Sequence, residues 1–290
     1  MADVLIIGAG PAGCSAALTL KNRGLSALLA YTSDGALARA HRVDNYPGMV
    51  GLSGEEMLNR FRQEAQDAGA LLRFARVTAL LPMGKGFSAA VDNDILSVRA
   101  VILTSGAGRA KALQNERELL GRGVSYCATC DGMLYKGKRV VVVGGGEEAV
   151  SEANFLAALA SEVFYVSEKP HDVSGLNGSI IQLPGRPTAV LGEKQAEGVA
   201  TDQGETRAEG VFILREAVAP DALLSGLTLS GGAIEHDEHM RTSVPRVYVA
   251  GDAAGAPYQI AKAVGEGCVA ALSLVADLES LKRASAAPKA

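Results

Sequence analysis

Val4-Leu5-Ile6-Ile7-Gly8-Ala9-Gly10-Pro11-Ala12-Gly13 is the stretch that decides the fold. Four aliphatic residues in an unbroken run read as a short strand buried on both faces. The glycine-rich turn after it opens a helix that runs to about Arg23 and is closed by Gly24. Strand, turn and helix in this order form the dinucleotide fingerprint. Gly8 permits the tight turn, Gly10 lets the backbone approach a pyrophosphate, and Gly13 lets helix and strand pack closely. Pro11 and Ala12 open the helix, whose N-terminus offers N–H groups and positive partial charge. The second strand, Ser26 to Tyr31, ends on Tyr31 where an acid usually holds the ribose hydroxyls. Asp34 lies three residues on, and the sequence leaves open whether it substitutes.

A second unit of the same grammar appears later. Arg139-Val140-Val141-Val142-Val143 leads into Gly144-Gly145-Gly146-Glu147-Glu148-Ala149, a helix over about 150–161, and the strand Val163 to Val166. Its chemistry differs, because Glu147 and Glu148 put carboxylates where a pyrophosphate would need to approach. Further buried strands are expected over residues 100–106, ending at Gly106, over residues 211–214, and over residues 247–252, ending at the pair Gly251-Asp252. Ser53-Gly54-Glu55-Glu56 has capping-box spacing and starts a helix to Ala68, with Met57, Phe61 and Ala65 on its buried stripe. Residues 169–210 are rich in glycine, proline and polar side chains, with short strands at best. Gln259-Ile260-Ala261 opens a long final helix. These signals place the chain in the α/β class, with two nucleotide-binding domains.

Val124-Ser125-Tyr126-Cys127-Ala128-Thr129-Cys130-Asp131-Gly132 carries the other chemistry. Cys-x-x-Cys reads as a redox pair or as half of a zinc site. Zinc needs two more ligands, commonly a second cysteine pair or two closely spaced histidines. Cys14 and Cys268 are isolated and none of the 4 histidines has that spacing, so a redox disulfide is the better reading and no metal is expected. Cys14 and Cys268 read as small packed core residues. An acid directly after the second cysteine is placed to move a proton. The chain has 290 residues, 48% of them hydrophobic, and a formal charge of −4, which argues against nucleic acid or an anionic membrane as main partner. No secretion signal or membrane span is evident, so a cytoplasmic location is expected, where a disulfide is usually catalytic or sensory.

Taken in order, the first glycine turn, the Asp44–Gly48 turn, Cys127-Ala128-Thr129-Cys130-Asp131, Gly144-Gly145-Gly146 and Gly251-Asp252 with Gln259-Ile260-Ala261 resemble the low-molecular-weight thioredoxin reductases. The resemblance covers nearly the whole chain. It implies two Rossmann-like, three-layer ββα domains, the second inserted into the first: residues 1–111 with 240–290 for FAD, and 112–239 for the domain carrying the cysteines. It also implies a homodimer and a thioredoxin-like substrate. Gly8, Gly10, Pro11, Ala12 and Gly13 would face the FAD pyrophosphate, Asn45 would lie near the flavin, and Gly106 would follow a family Thr-Gly turn that is Ser105-Gly106 here. Gly251 and Asp252 would bind the ribityl chain, and Gln259, Ile260 and Ala261 would border the isoalloxazine. Cys130 would be the flavin-facing thiol, Cys127 the thiol that attacks the substrate disulfide, and Asp131 their acid–base partner.

One departure is large. NADPH-dependent members carry an arginine cluster after the second strand of the inserted domain, whereas this chain has Ser167-Glu168-Lys169-Pro170-His171-Asp172. That departure is similar to the ferredoxin-dependent flavin thioredoxin reductases, which keep the cysteine pair and lack a working nicotinamide site. Ferredoxin, or another one-electron donor, is therefore the expected reductant, with docking by Arg39 and Arg42 or by Arg60 or Arg62. An NADH-linked enzyme, with Glu168 on the ribose, and a flavin-dependent dithiol oxidase are the alternatives.

Overall fold

The computed structural model describes residues 2–106, 112–215 and 220–286. Its helices, in chain order, are α1 (Pro11–Asn22), α2 (Gly54–Asp67), α3 (Ala128–Asp131), α4 (Glu147–Ala157), α5 (Pro220–Leu223) and α6 (Ile260–Ala286). Packing divides the chain into one unit of Met1–Arg109 with Leu223–Ala290 and a second of Ala110–Ala222.

In the first unit a five-stranded parallel sheet runs in the order Val247–Val249, Ala100–Leu103, Val4–Ile7, Ala27–Tyr31, Leu71–Phe74. The opening strand is central, with Val4 opposite both Ala27 and Ala100. Being flanked on both sides explains its unbroken apolar run. Its neighbours in the core are Leu29, Ile102 and Tyr248, together with Leu20, Phe61 and Leu274 from the helices. A three-stranded antiparallel sheet of Val77–Met83, Gly86–Val91 and Asp94–Val98 makes a further layer. The capping box at Ser53 and Glu56 is formed, and Met57, Phe61 and Ala65 are buried.

α1 lies against α6 closely enough that a Cβ on Gly267 would come 2.2 Å from the Ala12 carbonyl oxygen. Cys14 is fully buried in α1. Cys268, expected in the core, is only half-buried on α6. The return to the first unit, expected at residue 240, falls earlier. Residues 223–239 pack with the first unit because the hairpin Leu229–Ser230/Ala233–Ile234 brings Ala233 against Gly255, while Thr228 bonds Ser243. The outward junction expected at 111/112 falls at residues 107–111, outside the described residues.

The second unit has its own five-stranded parallel sheet, ordered Ile181–Gln182, Glu162–Ser167, Arg139–Gly144, Gly210–Leu214, Val124–Ser125. Val140 to Val143 are completely buried at its centre. The glycine- and proline-rich region folds partly as an antiparallel sheet of Pro187–Leu191, Gly198–Thr201 and Gly204–Arg207. α4 begins three residues before the expected 150, directly at the turn, because Gly146 is its N-cap. The side chains of Glu147 and Glu148 lie outside the described residues. Among the described residues no helix is long and apolar enough to cross a membrane.

Candidate functional site

In the first unit the glycine turn is shaped by contacts that admit no side chain. Gly8 has φ +120°, and a Cβ there would come 2.2 Å from the Thr104 carbonyl oxygen. At Gly13 a Cβ would come 2.1 Å from the Gly8 carbonyl oxygen. Thr104 donates its hydroxyl to Ile7 O and Gly8 O, both at 3.0 Å, which ties the turn to the neighbouring strand. Gly10, by contrast, faces open space, with no atom of the described residues within 4 Å of a Cβ. It is the N-cap of α1, no side chain caps it, Pro11 follows as the first helical residue, and the first turn holds no acid. Together these leave an uncluttered helix N-terminus next to an open backbone surface, the arrangement that receives an anion.

Two distant segments meet at the same end of this unit. Asn45 donates from Nδ2 to Gln259 Oε1 at 3.0 Å across 214 residues of chain. Ile260 packs on the core and Ala261 is exposed at the start of α6. Gly251, with φ +74°, donates its N–H to Glu266 Oε2 at 2.9 Å and lies against Ala12. Lys262 donates to Gly251 O at 3.0 Å and Gly255 O at 2.6 Å, and it pairs with Glu266 at 3.1 Å. Asp252 lies in the turn that these bonds hold. Burial pushes its carboxyl above the usual range, with Lys262 opposing the shift and Glu266 adding to it. Gly106, three residues beyond the Ala100–Leu103 strand, has φ +77°, and among the described residues no atom lies within 4 Å of where its Cβ would be.

In the second unit Cys127 and Cys130 are joined by a disulfide. Cys127 is the N-cap of α3, and its sulfur accepts from the Cys130 N–H at 3.2 Å. A donor on sulfur favours the thiolate once the bond is reduced. Cys130 is exposed and Cys127 half-buried. Ser125, buried at the end of its strand, donates to Asp131 Oδ2 at 2.7 Å and accepts from the Cys127 N–H at 3.1 Å. One hydroxyl therefore fixes both the acid and the backbone of the first cysteine. Glu152 of α4 accepts from the Ala128 N–H at 3.0 Å and anchors the turn to the next helix.

Residues 2–267 match the pyridine nucleotide-disulphide oxidoreductase family. The chain belongs to that family. It is 35% identical to the thioredoxin reductase of Aquifex aeolicus, over 97% of this chain and 94% of that protein. Two structures of a ferredoxin-flavin thioredoxin reductase from Clostridium acetobutylicum superpose with TM-scores of 0.88 and 0.81, at 35% and 38% identity. They cover 97% and 96% of this chain, and it covers 99% and 98% of theirs. This pyridine nucleotide-disulphide oxidoreductase is thus a thioredoxin-reductase-like flavoprotein with two Rossmann-like domains.

Within this family member, several residues that sequence reasoning passed over shape the two sites. Arg62 was expected to be available for docking a partner. Instead its Nε donates to Ala9 O at 3.1 Å, its Nη1 pairs with Asp34 at 2.5 Å, and its guanidinium carbon stands 4.3 Å from the Tyr31 ring centroid. Arg42 pairs with Asp44, whereas Arg39 and Arg60 are exposed. Ser125 and Glu152 act through contacts 6 and 24 residues away.

Glu168 also needs correction. Read from sequence, it either repels a 2′-phosphate or binds a ribose. In the structure Arg215 Nε donates to Glu168 Oε1 at 2.7 Å, and Arg215 Nη1 donates to the fully buried Glu116 at 2.6 Å. Its charge is therefore compensated and one of its oxygens engaged. The rest of the Ser167–Asp172 segment is tied down too. His171 Nε2 and the Tyr165 hydroxyl are 2.7 Å apart, and that hydroxyl occupies the space a Cβ on Gly144 would need. Glu168 and Arg215, which follow the strands Glu162–Ser167 and Gly210–Leu214, are thus engaged in contacts within the unit.

Proposed function

We propose that the chain reduces the disulfide of a thioredoxin-like protein through Cys127 and Cys130, with electrons entering by way of FAD from a ferredoxin-like one-electron donor. The observation that carries this reading is the N-capped disulfide turn, in which the Cys130 N–H supports sulfur charge on Cys127 and Ser125 holds Asp131 alongside. The residues at the first glycine turn fit a flavin dinucleotide: open backbone at Gly10, a bare helix N-terminus, and a buried Arg62 Nη2 that has no hydrogen-bond partner among the described residues. The flavin, when bound, supplies exchange of electrons singly or in pairs, which joins a one-electron donor to two-electron disulfide chemistry.

The chain's own part is thiol–disulfide exchange. In the reduced pair, the Cys127 thiolate attacks one sulfur of the substrate disulfide, forming a mixed disulfide and releasing the other sulfur as a thiolate. Cys130 then attacks Cys127, which reforms the internal disulfide and frees the second substrate thiol. The two protons pass to the substrate thiols, with Asp131 placed to relay them. Support for the donor comes from the two structural neighbours, whose electron source is ferredoxin by name, and from the absence of an arginine cluster in 167–172.

The test uses single cysteine variants with an oxidised thioredoxin. Cys130→Ser should trap a mixed disulfide through Cys127, visible on a non-reducing gel and reversed by dithiothreitol. Cys127→Ser should trap none and should not turn over. Normal turnover by either variant would remove the pair from the reaction.

A further inference from the structure

The second strand of the first unit ends without the acid that commonly holds the adenosine ribose of a bound dinucleotide. What stands there is a small assembly drawn from three segments. Tyr31 ends the strand, Asp34 follows it in the next loop, and Arg62 reaches over from α2. The arginine is fixed at three points: Nε on the Ala9 carbonyl inside the glycine turn, Nη1 on Asp34, and its guanidinium over Tyr31, whose ring also meets Phe74 edge to face at 5.5 Å.

Its remaining terminal nitrogen, Nη2, is buried and has no hydrogen-bond partner among the described residues. A cationic donor removed from water and left unpaired is costly, and native structures rarely tolerate one without a ligand or partner. The arginine side chain is 13% exposed, while Asp34 beside it is 62% exposed. One member therefore offers a buried donor, Nη2, and the other an accessible carboxylate, which is already held by the Nη1 of the same guanidinium at 2.5 Å. A ribose bears hydroxyls that donate and oxygens that accept, and its place in such a fold is at the end of this strand, beyond the pyrophosphate.

We infer that Asp34 and Arg62 together form the adenosine-ribose subsite of the flavin dinucleotide, replacing the missing strand-end acid. Asp34 accepts the 2′-hydroxyl, and Arg62 both orients Asp34 and donates Nη2 to an oxygen of the adenosine half. Tyr31 serves as the platform that keeps the guanidinium planar to the turn. This rests on the flavin reading of the first unit and deepens it.

The experiment uses the full-length chain stripped of flavin, titrated with FAD and with its 2′-deoxyadenosine analogue, and follows quenching of flavin fluorescence. Wild type should bind the analogue about tenfold more weakly than FAD. Asp34→Ala should weaken FAD by a similar factor and make the two ligands equal, because the hydroxyl has lost its acceptor. Arg62→Met should weaken FAD at least tenfold, with apoprotein melting close to wild type. Equal binding of the two ligands by wild type, a gap that persists in Asp34→Ala, or unaltered FAD affinity in Arg62→Met would overturn the assignment. Failure of wild type to take up either ligand would strike the flavin reading itself, which separates the two.

Discussion

Replacing Gly267 by alanine tests how the first unit holds its glycine turn. Gly267 faces α1, and an added Cβ would come 2.2 Å from Ala12 O, 3.0 Å from Ala12 C and 3.2 Å from its Cα. All three are backbone atoms, so no side chain can swing aside. Bringing the oxygen back to ordinary contact requires the helices to part by about 1 Å or more. Such overpacking costs about 1–3 kcal/mol, against a gain of about 1 kcal/mol for alanine over glycine within a helix. Gly265, two residues earlier in α6, has no atom of the described residues within 4 Å of a Cβ, so Gly265→Ala should keep that helical gain uncancelled. Two identical substitutions in one helix are thus expected to differ in sign. At about 2–4 °C per kcal/mol for a unit of this size, Gly267→Ala should melt several degrees below Gly265→Ala. It should also weaken FAD retention, since Ala12 lies in the turn. Equal melting temperatures for the two variants would refute the close-packing argument.

Three further outcomes follow from named contacts. Arg215→Met leaves Glu116, which is fully buried, without its cation, and breaking such a pair costs about 3–5 kcal/mol, so thermal denaturation should show a fall of about 10 °C or more. Asp277 is held below the usual carboxylate range, first by its hydrogen bond from Arg241 and also by one from Tyr248. Its folded pKa is depressed, so its contribution is complete above about pH 4 and lost as pH falls through the lower folded value. The melting temperature of Asp277→Asn should therefore lie below wild type at neutral pH and converge with it in strong acid. Burial raises the Cys14 thiol to about 12, with the Arg62 charge opposing, so Cys14 should resist iodoacetamide at pH 8 until the protein is unfolded.

Local signals were legible from sequence and long-range ones were not. The strand–glycine–helix turn at Gly8–Gly13, the capping box at Ser53 and the cysteine pair are each specified within ten or so residues, where periodicity and spacing operate. The α/β class and the two nucleotide-binding-like units followed from them. Arg62 was misread because an arginine on an amphipathic helix ordinarily faces solvent. Its acceptor, Ala9 O, is a backbone atom 53 residues away, with no sequence signature. Glu168 was misread for a related reason: its partner Arg215 lies 47 residues further along, at the end of another strand. The hydrophobic pattern shows that these strands are buried but not their order, and strand order is what brings the two ends together. Tyr31 was the one usable clue, since a missing acid signals that another group must replace it.

The donor assignment is tested most directly by reducing the flavin-loaded protein anaerobically in a stopped-flow instrument with reduced ferredoxin, NADPH and NADH in turn. Flavin absorbance reports electron entry, and thiol titration after quenching reports opening of the Cys127–Cys130 bond. The account predicts rapid bleaching and two new thiols with ferredoxin, and negligible bleaching with either nicotinamide at micromolar concentration. Rapid bleaching by NADPH or NADH, or flavin reduction by ferredoxin that never opens the disulfide, would contradict it.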